Sequence, residues 1–182
     1  ILVLTIAVVL FAETGYALFD SNDSGSSTMQ FLNMGVGARA FAMGQAYTGV
    51  SDDATAVNWN PAGMTQLSKA SISLMHSVWL SDISQDWVLF ACPISGFGSV
   101  GVGLQYLAYG KISEIDDTGL ETGELNPYDM ALMLSYAKDL SGMIQGLGAG
   151  VTVKYASSKI KNTATAVGCD LGLMYDGLQI SG

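Results

Sequence analysis

The residues able to do chemistry in this chain are few: one histidine, His76, two cysteines, Cys92 and Cys169, and sixteen carboxylates against seven lysines and arginines. Covalent hydrolysis needs a nucleophile held beside a base. His76 follows no Ser-x-Gly elbow, and no acidic neighbour is expected in register with it, so no catalytic residue and no enzymatic activity are expected. A zinc site needs three or four closely spaced ligands, which one histidine and two distant cysteines do not supply, so neither metal nor cofactor is expected. A Cys92–Cys169 disulfide would require their Cα atoms within about 7 Å, and the two fall in predicted strands with others between them. The run Gly35-Val36-Gly37 begins like a dinucleotide loop, but its third glycine is misplaced and no βαβ alternation follows. A formal net charge of −9 excludes nucleic acid as an expected partner, because phosphates would be repelled.

The polar residues that do cluster lie between Gly35 and Met64, where they suit positioning rather than catalysis. Arg39 is the first cation of the chain, and Asp52 or Asp53 could pair with it if it is enclosed; an Arg39 solvated at the mouth of the structure is the other reading. Asp52, Asp53 and Thr55 offer caps for a short helical turn. Asn60 before Pro61 reads as an N-cap followed by proline at the first helical position, where its missing N–H costs nothing. The stretch between is made of glycine and alanine, so a helix there would carry little outside its backbone and could enter a confined space. Gly37, Gly44 and Gly49 give it backbone freedom.

The elements that must position this cluster come after it. Strand alternation is legible from Lys69 onward. Val100, Val102, Leu104 and Tyr106 share one face, with Gly101, Gly103 and Gln105 on the other. Met130, Leu132, Leu134 and Tyr136 oppose Asp129, Ala131, Met133 and Ser135. Leu147, Ala149, Val151, Val153 and Tyr155 oppose Gly148, Gly150, Thr152 and Lys154; Val167, Cys169, Leu171, Leu173 and Tyr175 oppose Gly168, Asp170, Gly172 and Met174. Each apolar row ends in a tyrosine, the pattern of an aromatic girdle formed by Tyr106, Tyr136, Tyr155 and Tyr175 at the headgroup level. A soluble sandwich would carry charge, not glycine, on its outer row. Hydrophobic residues at 49% and charged ones at 13% also favour contact with lipid. Arginine is expected to be tolerated better at Gly103 or Thr152 than at Val102 or Val151.

Short links at 94–98 and 138–142 and longer ones at 80–85, 110–127 and 157–163 suggest periplasmic turns alternating with extracellular loops. Two strands are less tidy. Both faces of 87–94 are apolar, which would suit a greasy ligand in the lumen. His76 falls on the lipid face, so either a bulge near Met75 or a protein contact is expected.

The blocks Gly37-Ala38-Arg39-Ala40, Met43-Gly44, Asp52-Asp53-Ala54-Thr55-Ala56 and Trp59-Asn60-Pro61-Ala62-Gly63-Met64, in that order and followed by strands, resemble the N-terminal signature of the PorV/PorQ family, within the FadL-type outer-membrane barrels. The resemblance implies an all-β transmembrane antiparallel barrel of about 14 strands with an N-terminal short-helical hatch. Asn60, Pro61 and Ala62 match the hatch element that plugs such barrels. The implied hatch residues are Gly37, Arg39, Gly44, Asp52, Asp53, Asn58, Trp59, Asn60, Pro61, Ala62 and Gly63, with Trp59 against the barrel wall and 38–46 in the lumen. The expected organisation is a signal peptide at 1–17, a tether at 18–34, the hatch at 35–66 and the first six or so strands at 67–182, with further strands C-terminal. The resemblance implies a place in the outer membrane and two roles: a channel for hydrophobic small molecules, or a type IX secretion component that binds or shuttles cargo and meets other secretion-system proteins.

Overall fold

The computed structural model describes residues 29–117 and 119–176, so the expected signal peptide and most of the tether lie outside the described residues. Eight strands follow a mainly helical segment: β1 (Ser71–Val78), β2 (Ser84–Ile94), β3 (Gly98–Ala108), β4 (Ile112–Ile115), β5 (Glu121–Leu125), β6 (Tyr128–Asp139), β7 (Leu147–Lys159) and β8 (Thr163–Tyr175). Six form one sheet in the order β1-β2-β3-β6-β7-β8, and β4-β5 pair separately. Every neighbour in the large sheet is antiparallel. The class expected from alternation is therefore all-β. The sheet is open among the described residues, with β1 and β8 at its edges.

The sheet has one covered face and one bare face. The covered face carries the N-terminal segment and buries Trp87, Leu89 and Ala91 of β2, Gln105 and Leu107 of β3, Ala131 and Met133 of β6 and Thr152 of β7. The bare face presents the apolar rows, with Val102 49%, Leu134 64% and Leu171 79% exposed. Both sets match the alternation, so the small and polar row faces the segment and the apolar row faces away.

The tyrosines fall into two rows on the bare face. Near the β4-β5 end, the rings of Tyr106 and Tyr128 stack at 5.6 Å, with the Lys159 ammonium 5.7 Å from the Tyr128 ring. Near the other end, Tyr136 meets Phe97 edge-on at 5.1 Å and donates its hydroxyl to the Phe97 carbonyl at 2.6 Å. Tyr128 and Tyr136 stand at opposite ends of one strand, about 27 Å apart along it and about 20 Å in height at a barrel's tilt. That height is close to an apolar band of about 25 Å.

Four expectations about the strands need correction. The 110–127 link is not a plain loop but carries the β4-β5 hairpin, whose charges at Glu114, Glu121 and Glu124 hide its alternation and whose register shifts at Glu114/Ile115. Short and long links do not alternate at 138–142 and 157–163: β7 and β8 stay paired through Lys159↔Thr163, while residues 140–146 form the longer link. The serines at 157–158 look like loop but are held in the ladder, because pairing satisfies backbone groups whatever the side chain. Finally, no bulge occurs near Met75. Register runs unbroken from Ser71↔Ala91 to Val78↔Ser84, and His76 stays on the bare face opposite Asp86, with Nδ1 2.6 Å from Asp86 Oδ1. An acidic neighbour in register therefore exists. The link at 79–83, with Ser81 and Asp82 at φ 55° and 63°, sets that register.

Candidate functional site

The segment begins with a helix at Ala38–Ala42, which opens at Gly37 with φ 91° and is followed by a reversal through Gly44 and Gln45 with φ 62° and 66°. These conformations favour glycine, as at Gly37 and Gly44. The helix is shorter than the glycine and alanine run. Within 38–46 only Ala40 is buried, and Phe41 and Met43 are exposed, so these residues do not make the main contact with the sheet.

Past the reversal the chain is braced by a polar cluster. Arg39 grips Asp52 with both guanidinium nitrogens, at 2.5 and 3.1 Å. The Tyr47 hydroxyl donates to Asp52 at 2.9 Å and lies 3.0 Å from Asp53, beneath the Arg39 guanidinium at 5.4 Å from the ring. Both readings of Arg39 hold in part: it is paired with Asp52, and its side chain is 55% exposed. Bonding to Arg39 holds the Asp52 carboxyl below its ordinary range, while burial, then donation to Asp52 and Asp53, pushes the Tyr47 phenol up to about 12. Asp53 does the capping, accepting from the Thr55 backbone N–H at 2.8 Å and the Thr55 hydroxyl at 2.6 Å.

The contact with the sheet is made by the helix Ala56–Trp59 and the 3-10 turn Pro61–Gln66. Ala54, Ala56, Val57, Ala62 and Met64 are wholly buried. Asn60 caps the Pro61 turn as its sequence implies, its side-chain oxygen accepting from Ala62 N–H at 3.1 Å. Its Nδ2 also donates to the Thr48 carbonyl at 3.0 Å and across to the Leu173 carbonyl of β8 at 3.3 Å. Trp59 is expected against the wall, and the contacts that orient it lie within the segment. Its indole N–H is drawn to the Val36 carbonyl at 2.9 Å, and its ring lies edge-on to Tyr47 and against Gly35, within the segment itself.

What receives the segment is a seat of glycines that sequence reasoning left without a role. A Cβ on Gly150 would meet Ala62 N and Pro61 C at 2.5 Å. One on Gly101 would meet Val57 Cγ2 at 2.5 Å and Met64 Sδ at 2.7 Å, and one on Gly148 would meet Thr65 Oγ1 at 2.6 Å. The signal was present as glycine at every second position of the covered row, in Gly101 and Gly103 and in Gly148 and Gly150. Gly63 likewise has no room for a side chain beside Ser51.

Side chains of the wall add to this seat. Thr152 donates to the Val57 carbonyl at 3.1 Å, and Gln105 donates to the Phe31 carbonyl at 2.8 Å. Lys154 donates to Asn58 at 3.2 Å, and Ser71 accepts from Ala54 N–H at 3.2 Å. The site residues thus fall into two groups: Gly37, Arg39, Gly44, Asp52 and Asp53 shape the brace, while Asn58, Asn60, Pro61, Ala62 and Gly63 follow the wall. Of the four tyrosines, Tyr106 and Tyr155 lie toward the β4-β5 end and Tyr136 and Tyr175 toward the other. The apolar residues of β2 divide between its faces: Trp87 and Leu89 are buried on the covered face, and Val88 and Phe90 are exposed on the bare one. Cys92 and Cys169 are free thiols.

An antiparallel sheet that is apolar and bare on one side, and seats its own N-terminal segment on a glycine row on the other, defines a β-wall protein with an internal cover. A family model described as type IX secretion system protein PorV matches residues 20–173. The chain belongs to that family. Comparison with curated proteins and with solved structures gives no match.

Proposed function

We propose that this protein is an outer-membrane β-barrel component of type IX secretion, in which the six-stranded sheet forms part of the wall and residues 35–66 cover its lumen side. The observation that carries the location is the bare apolar face bounded by two rows of aromatic rings. A face of this extent needs an apolar surrounding, and lipid between two headgroup levels supplies one. The family match supports the pathway, with secretion-system proteins and their cargo as partners. The channel reading receives less support, since the covered-face apolar residues Trp87, Leu89 and Ala91 are buried and offer no open greasy lining.

The test is fractionation of the full-length protein, followed by deletion of its gene. Recovery with the outer membrane, heat-modifiable migration and loss of protein export are expected. Full-length protein in the soluble periplasm would overturn the location. Normal export together with lost uptake of hydrophobic compounds would overturn the pathway and favour a channel.

A further inference from the structure

We propose that Lys154 and Asp170 form a charged latch that holds the N-terminal segment on β7 and β8, with Lys154 as the positioning residue and Asn58 as the part it grips. The covered row of these two strands is otherwise glycine, alanine, serine, threonine and methionine, a poor place for a lysine. The Lys154 side chain is only 12% exposed, and a charge so enclosed is tolerated where a counter-charge and a hydrogen-bond acceptor both meet it. Asp170 supplies the first, its Oδ2 lying 2.7 Å from Nζ. That oxygen has no directed hydrogen bond, so the contact is one of charge. The directed bond goes to Asn58 Oδ1 at 3.2 Å.

Asn58 lies inside the helix Ala56–Trp59, where asparagine is a poor helix former. Its carboxamide is used to reach the wall. Two residues on, Asn60 makes the neutral contact to the Leu173 carbonyl, so Lys154 and Asn60 fasten the same short stretch. Space for release is present beside it. A cavity of about 340 Å³ runs between Thr48, Asn58, Pro61, Lys154, Asp170 and Leu173. Gly168, directly opposite Lys154 in register, leaves the lysine stem unobstructed, since a Cβ there would meet nothing within 4 Å. The ammonium can therefore swing from Asn58 without moving a strand. The pairing oxygen Asp170 Oδ2 is buried, but the carboxylate as a whole is 41% exposed, so salt reaches the latch from that side, unlike the glycine seat beneath it. The inference rests on contacts between the segment and β7–β8, and it stands or falls apart from the secretion role.

Amide hydrogen exchange on the full-length protein, reconstituted in liposomes, tests it. Lys154→Met is expected to speed exchange in residues 57–62 by about tenfold or more, with β2 and β3 unchanged. Raising salt to about 1 M should speed the same amides in wild type and not in Lys154→Met. Asn58→Ala keeps the ion pair but removes the grip, and should give the same acceleration, which covers the case of a Lys154 variant that does not assemble. Unchanged exchange at 57–62 in assembled variants would overturn the latch. So would acceleration confined to the β7 and β8 amides, which would make the pair a staple between strands.

Discussion

The side-chain oxygen of Asn60 occupies the place that a Cβ on Gly172 would take. The cap of the Pro61 turn and the bare backbone of β8 are therefore one contact, made from both sides. The same oxygen accepts from Ala62, and the Nδ2 reaches the neighbouring Leu173 carbonyl, so a single asparagine shapes the turn and docks it. Fit of this kind is set by backbone approach, which only glycine permits.

Gly172→Val and Gly150→Val should therefore lift the segment from the wall. Overpacking of a close contact costs about 1–3 kcal/mol; the obstacle is the Pro61–Ala62 backbone at Gly150 and the capping side chain of Asn60 at Gly172. Gly168→Val is the control, on the same strand and face with open space around it. Limited proteolysis should cut the 54–66 region of the first two variants faster than wild type, and leave Gly168→Val alone. Equal digestion of all three would show that the seat does not hold the segment.

Much of this was legible in the sequence, and the part that was not has a physical reason. Period-two alternation gave both faces of β3, β6, β7 and β8, because one side chain in two must meet a different surrounding. Asn60-Pro61 gave the cap, since its chemistry is local. The partner of His76 was hidden, as register depends on how residues 79–83 turn and not on either strand. The direction of Trp59 was hidden as well, because an indole N–H goes to whichever carbonyl is within reach, here that of Val36. The hairpin at Ile112–Leu125 escaped notice because exposed strands need no apolar row.

The same seat changes where arginine is tolerated. Val102→Arg and Val151→Arg place a charge mid-strand on the bare face and should each cost about 2–4 kcal/mol of assembled stability in lipid. The covered face is not uniformly milder, contrary to the sequence expectation. Thr152 is fully buried against Val57 and Ser135, and a Cβ at Gly103 already meets Leu89 at 2.8 Å, so arginine at either should also fail. Gly168→Arg is the expected mild case. Yields of heat-modifiable protein in all five variants check the order, and a Gly168→Arg as damaging as Val102→Arg would reverse the face assignment.

The brace should have a defined pH window. Asp52 is held below its ordinary value of 3.8, first by its bond with Arg39, so its contribution is present above that value and is lost as pH falls through the lowered one. Tyr47 is raised to about 12, so its contribution is full below about 10 and is lost as pH climbs through about 12. Tyr109, beside Asp129, is also pushed up to about 12, so among the described residues these two phenols should ionise late. Tyr47→Phe should remove one of these two late steps from the phenolate absorbance and leave the other. An undiminished late amplitude would mean that Tyr47 is not enclosed by the two aspartates.

Asn60→Leu tests what the segment does. It removes a cap typically worth about 1 kcal/mol and with it the contacts to Thr48 and Leu173. The sheet keeps its ladders of inter-strand hydrogen bonds, so the protein should still assemble at near wild-type levels. If residues 54–66 close the lumen side, flux of a small dye through liposomes carrying equal amounts of the variant should exceed that of wild type. Lys154→Met should raise it further when combined with Asn60→Leu, because the two residues fasten one stretch by separate bonds. Identical flux from wild type, single and double variants would mean that the segment braces the wall without sealing it.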